Sequence, residues 1–144
     1  MKVLALDLGD QWIGTALSDA LRILARPYKT VTFKELRPFL QGLFSSGTIS
    51  IVVVGYPQTM RGTESDQTKK VVALKEELAL EFPDQEWVLW DERLTSKHAQ
   101  NLGKKGEKTE VHSKAAALIL EGYLMHLKFK ADMENPPTDH NDYE

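Results

Sequence analysis

Three places in the sequence hold residue types suited to gripping a hard cation or moving a proton. Asp7 interrupts an otherwise apolar run, Val-Leu-Ala-Leu-Asp-Leu after Lys2, and period-two alternation puts Val3, Ala5 and Asp7 on one face of a strand. A carboxylate at the rim of a core costs on the order of several kcal/mol in desolvation unless a cation or a set of donors meets it. Gly9, two residues on, leaves room for a metal, a phosphate or another backbone to approach. Asp91 and Glu92 follow a second stretch of strand character from Glu86 to Trp90. Neighbouring residues on a strand face opposite ways, so one of the two acids points at Asp7 if the strands run alongside each other. The pattern does not choose between them. His112 is the third candidate, four residues before Ala116 and seven before Ile119, so it shares the apolar face of a helix. Near a helix N-terminus the dipole disfavours imidazolium, and the neutral ring is the form that binds metal. Two acids with a nitrogen ligand around Mg²⁺ or Mn²⁺ suit phosphodiester hydrolysis.

These groups need a scaffold that delivers them to one edge. Lys2 to Leu8 reads as a central strand covered on both faces. Gly9 and Asp10 signal a turn into a second, antiparallel strand from Trp12 to Leu17, and Arg26 to Phe33 alternates as a third. Leu36, Phe39, Leu40 and Leu43 have helical spacing. Ile51 to Val54 is a short β-branched run and reads as a buried strand. Gly55 to Gly62 holds too much Gly and Pro for an element. Thr63 and Asp66 then open a helix along Val71, Leu74, Leu78 and Phe82, which Pro83 stops. Glu86 to Trp90 is the last strand. A short helix capped by Thr95 or Ser96 and a loop from Gly103 to Lys108 precede a final helix from about Glu110 to His126, with Thr109 as its cap. The expected architecture is α/β: three antiparallel strands, then two parallel ones, with helices on both faces of a mixed sheet. Ligands of such sheets gather at strand ends.

The chain has 144 residues and no cysteine, which excludes a disulfide framework, a thiolate metal site and a cysteine nucleophile. One domain over residues 1–130 is expected, followed by an acidic disordered tail over 131–144. No apolar stretch approaches the roughly 18–20 residues that span a bilayer, and no signal-type segment precedes Asp7; a cytoplasmic location with no membrane partner follows. Net charge is −3, yet the tail holds five acids and no Lys or Arg, so the preceding chain stands at +2. Five lysines between Lys97 and Lys114 form the one local excess. Lys104, Lys105 and Lys114 are the candidate grip on a nucleic-acid backbone, with Gly55, Pro57 and Gly62 as a rim loop against it. Arg93 is either the exposed partner of Glu92 or a further phosphate contact.

DLGDQWIGTALSD, VVVGYPQTMRGTESDQT, DERLTS and HSKAAALILEGYL, in that order, together resemble the YqgF (RuvX) family from about Val3 to Leu127. The resemblance implies an RNase H-like, Holliday-junction-resolvase-like fold and metal-dependent cleavage, with Asp7 as first ligand and Asp91 or Glu92 as second. It also implies a role in maturing the 5′ end of precursor 16S rRNA during ribosome biogenesis, with the ribosomal subunit as a further partner. This chain departs from the family at His112, where an acid is usual, although some related resolvases tolerate a histidine there; a ligand with one negative charge fewer lowers metal affinity. Two other readings therefore stand beside the nuclease: a four-way DNA junction as substrate, and an inactive binding module for ribosome assembly or transcription. An actin-type phosphate loop needs two such domains around its nucleotide, and this length holds one. Oligomeric state is not legible.

Overall fold

β1, Lys2–Leu8, sits at the centre of the sheet because its side chains are apolar on both faces. The structure, a computed structural model, describes residues 1–9, 11–56, 66–92 and 108–135. β2 (Trp12–Ser18) and β3 (Ala25–Thr32) follow as antiparallel hairpin strands, and after α1 (Phe33–Phe44) the chain returns in β4 (Ile49–Tyr56) parallel to β1. α2 (Asp66–Glu81) leads to β5 (Glu86–Asp91), parallel to β4, and α3 (Lys108–Glu134) closes the described chain. The strand order is β3-β2-β1-β4-β5. Three antiparallel strands followed by two parallel ones, with helices on both faces, match the expected fold.

The alternation of β1 and β4 feeds two cores. Leu4, Leu6, Val52 and Val54 pack with Leu36 and Leu40 of α1 and with Val71 and Leu78 of α2 on one face. Val3, Ala5, Ile51 and Val53 pack with Ala116, Ile119, Leu120 and Tyr123 of α3 on the other. Burial on both faces removes the polar half of the strand pattern, which is why β4 reads as a plain β-branched run. No helix among the described residues is long and apolar enough to cross a membrane.

α1 begins with a reciprocal cap. The Thr32 hydroxyl accepts from the Glu35 backbone N–H, and the Glu35 carboxylate accepts from the Thr32 N–H at 2.9 Å. Thr32→Ala removes half of this box and is expected to cost about 1 kcal/mol, read as a lower denaturation midpoint with an unchanged slope. An unchanged midpoint removes the cap from the account of this helix.

Two expected boundaries are corrected. α3 starts at Lys108, so His112 lies one turn inside the helix rather than in its first turn. The same helix runs through Ala131, Asp132, Met133 and Glu134, four residues past the expected start of the disordered tail. Nothing in that stretch breaks a helix until the segment before Pro136, and Ala, Met and Glu are strong helix formers.

Candidate active site

Asp7 lies between two glycines. Its sheet neighbours are Gly14 on the antiparallel side and Gly55 on the parallel side. On the face shared with Val3 and Ala5, the positions flanking Asp7 therefore carry no side chain, and other groups enter from both sides. A Cβ on Gly14 would fall on the His112 carbonyl group, so α3 rests directly on the β2 backbone there. A Cβ on Gly55 would meet Ile119 Cδ1 at 2.5 Å and Glu92 Cγ at 3.3 Å, so the Glu92 chain passes over Gly55 towards Asp7.

The register decides between the two adjacent acids. β5 pairs Trp90 with Gly55 and Asp91 with Tyr56. Trp90 packs in the α3 core with Val88, whereas Trp87 and Leu89 pack against the α1 and α2 side. By alternation Asp91 leaves towards α1 and α2, and Glu92 leaves towards α3 and Asp7. A side-chain hydrogen bond joins Asp7 and Glu92. Asp91 acts on Glu92 through its charge.

His112 reaches the same corner from α3. Its Cε1 and Nδ1 lie 3.2 and 3.5 Å from where a Gly9 Cβ would stand, and its charge acts on Asp7. Gly9 itself closes the turn by donating its N–H to Trp12 O at 2.9 Å. Asp7 of β1 and Glu92 at the end of β5 thus meet over Gly55 at the C-terminal edge of the parallel strands, and His112 of α3 stands by Gly9 at the same edge.

Burial is the main influence on both carboxyls. It raises the Asp7 pKa, with the nearby His112 charge and the Glu92 hydrogen bond pulling the other way. Glu92 is pushed up to about 8 by burial first, then by the Asp7 charge, the shared hydrogen bond and the Asp91 charge. At neutral pH Glu92, raised to about 8, holds a proton beside Asp7, and the two titrate as a pair.

A carboxyl whose pKa is higher in the folded than in the unfolded chain favours folding below its unfolded value. That contribution fades as pH rises through the folded value. Metal-free protein is therefore expected to lose stability between about pH 5 and 8. Asp19, Glu35 and Glu81, whose pKa values are lowered by hydrogen bonds, act with the opposite sign and below this window. Glu92→Gln should flatten the slope and gain about 1–2 kcal/mol at pH 8, well under full conversion of the shift because Glu92 is partly open to water. Melting curves in chelator across that range check it; a slope unchanged by Glu92→Gln overturns the assignment.

The remaining expected contacts fall differently. Gly55 is buried inside β4 rather than on a rim loop, and its work is to let Glu92 past. Lys114 is half-buried on α3, two residues after His112. Pro57, Gly62, Arg93, Lys104 and Lys105 lie outside the described residues. Arg22 stands at the opposite edge of the sheet, donating to Met1 O and Ser50 Oγ. The spacer role of Gly55 and the seat at Gly14 escaped sequence reasoning, since both depend on strand register.

The sequence profile described as RuvX, Holliday junction resolvase, matches residues 1–126. A "Putative pre-16S rRNA nuclease" of Rubrobacter xylanophilus is 39% identical over 127 residues, covering 85% of this chain and 91% of the relative. A protein of the same name from Carboxydothermus hydrogenoformans is 37% identical over 134 residues, covering 86% of this chain and 96% of the relative. Among solved structures, Thermus thermophilus RuvC in complex with a Holliday junction substrate superposes with a TM-score of 0.57 at 16% identity, over 89% of this chain and 96% of that one. The sheet and its helices thus have the RNase H-like fold of RuvC, and by sequence the chain belongs to the RuvX family.

Proposed function

We propose that this protein is a divalent-metal-dependent endonuclease on structured RNA, and that its substrate is the 5′ region of precursor 16S rRNA, the polymer in its relatives' names. The observation that carries the reading is the Asp7–Glu92 pair, two carboxyls from separate strands drawn into one hydrogen bond over a glycine. Such a pair is costly unless a proton or a cation sits between its members.

The donor set fits Mg²⁺ or Mn²⁺. Among the described residues no cluster of three or more Asp, Glu and His suited to a metal stands together. Mg²⁺ does not require one, because it commonly takes one or two protein carboxylates and completes its shell with water and substrate phosphate oxygens. Asp7 and Glu92 would hold the ion, with the His112 ring beside Gly9 at the same corner. A divalent ion held there would supply Lewis-acid stabilisation of phosphate charge and make a water more acidic. Glu92 must release its proton for this, so occupancy rises with pH up to about 8. His112, fixed by the seat of α3 on Gly14, keeps its ring against Gly9 and limits where a phosphate can lie. A cytoplasmic site of action accords with an rRNA substrate.

The same corner fits a four-way DNA junction, since carboxylates beside a phosphate do not read the 2′-hydroxyl. Parallel digestion of a precursor rRNA fragment and a DNA junction with Mg²⁺, Mn²⁺ or chelator separates them. Cleavage of the RNA alone, lost in chelator, is the expected result; cutting of the junction alone moves the substrate to DNA. The small described ligand set favours one further reading, a binding module that has lost catalysis through His112. RNA binding that survives chelation, with no cleavage under any metal, supports that module.

A further inference from the structure

We infer that the cleft between the first turns of α1 and α2 is a subsite for one unstacked nucleobase of the substrate strand, next to the scissile phosphate; this rests on the nuclease reading above. The cleft holds about 150 Å³, below the roughly 300–1,000 Å³ of whole-ligand sites, so it takes a single ring system rather than a nucleotide. Its floor is Leu8 and Val71, 5% and 4% exposed, with Leu74 beside them. Its wall is Phe33, 39% exposed. Gln67 and Lys70, both exposed, stand at its mouth.

Position ties the cleft to the chemistry. Leu8 follows Asp7 directly, and successive strand side chains point to opposite faces, so carboxylate and cleft lie on the two sides of the same strand end. They are roughly 3–7 Å apart along the chain. A polynucleotide crossing this edge with a phosphate at Asp7 and Glu92 delivers an adjacent base across Gly9 into the gap between the helices.

Composition fits a base better than a phosphate or an aliphatic side chain. A flat ring needs apolar contact on its faces, which Leu8, Val71 and Phe33 offer. Its edge needs a donor and an acceptor, which the Gln67 amide supplies together. Lys70 is then placed for the backbone on the far side of that base. Phe33 is the first residue of α1, and the Thr32–Glu35 capping box fixes the backbone that carries it. The aromatic wall is therefore held before the strand arrives.

The test walks a single abasic residue across the cleaved bond of a short RNA substrate. One position beside the scissile phosphate is expected to slow cleavage by about 10-fold, in line with the loss of one base–aromatic stack, and the others to do little. Phe33→Ala, confirmed folded by its melting curve, should cut the intact substrate about 10-fold slower and show no added penalty at that position. Phe33→Tyr should restore it. Cleavage at equal rates across the series, or a penalty that persists in Phe33→Ala, overturns the base subsite and leaves the nuclease reading intact. If no substrate is cleaved, the nuclease reading fails, and the same series read by binding affinity decides the subsite: a position-specific loss keeps it and a flat series removes it. Saturable binding of free uridine monophosphate at Phe33, with no abasic effect, assigns the cleft to a free nucleotide and overturns it as a substrate site.

Discussion

Asp7→Asn is expected to abolish cleavage while raising the melting temperature of the metal-free protein. The substitution keeps the shape of the side chain and removes its charge, so strands and core are untouched. Removing a group that merely supports a metal ligand costs about 10–100-fold; removing a ligand from a set this small should cost about 10³ or more. Stability moves the other way. In metal-free protein the Asp7 carboxylate is desolvated and faces Glu92. An asparagine there can donate to the Glu92 carboxylate, which then loses the part of its upward shift that comes from the Asp7 charge and the shared hydrogen bond, while the larger part from burial stays. The expected gain is about 1 kcal/mol, roughly 3–4 °C for a chain of this size. Added Mn²⁺ should stabilise wild type by mass action and leave the variant unmoved.

The contrast with Asp91 makes the test sharp. Asp91→Asn removes a charge one residue from Glu92 on the opposite face of β5, so activity should stay within a few-fold of wild type, a small fraction of the Asp7 effect. Equal losses at Asp7 and Asp91 would sink the assignment of Glu92 as the partner carboxyl. An active Asp7→Asn protein would remove the carboxylate pair from the mechanism altogether.

The reach of the sequence differs between these acids for a physical reason. Asp7 is legible because β1 is central and Asp7 is its one charged residue after Lys2. The side it faces follows from counting in twos from Val3. The choice between Asp91 and Glu92 is not legible, because Val88, Leu89 and Trp90 are all apolar, and a strand packed on both faces does not reveal which parity faces α3. Strand pairing shows that Glu92 is the one facing Asp7, and that is non-local information. The Gly and Pro content of Gly55 to Gly62 predicts a loop from Gly55 on, yet β4 continues to Tyr56 and the glycine is a gap that Glu92 uses. The end of α3 is hidden from the sequence for the converse reason. Met125, Phe129 and Met133 are exposed, so the apolar stripe stops marking a buried face, while local propensity sustains the helix through Glu134. Positions marked by a charge within an apolar run are readable, and those set by register or by propensity alone are not.

Gly14→Ala should be among the most damaging single-methyl changes in the protein. Gly14 pairs with Asp7 across the sheet, and the space of its missing side chain is filled by the His112 carbonyl and the Ser113 N–H. Both are backbone in the second turn of α3, so no rotamer change can clear them. The helix must lift from β2 or the strand must bend, and both movements open the packing of Ala16 and Ala116. Overpacking of this kind costs about 1–3 kcal/mol, and a backbone collision belongs at the upper end. Against this, replacing a glycine restricts the unfolded chain and returns about 0.4–1 kcal/mol. A net loss of about 2 kcal/mol is expected, seen as a lower denaturation midpoint. Gly42, in α1 with nothing within 4 Å of its Cβ position, is the matched control. There the same methyl should stabilise by about 0.5–1 kcal/mol. Activity at saturating metal should fall by about 100-fold in Gly14→Ala, because lifting α3 by an ångström carries His112 away from Gly9 and Asp7. A Gly14→Ala protein as stable as wild type would mean that α3 does not rest on β2 at this point, and His112 would then lose its place beside Asp7.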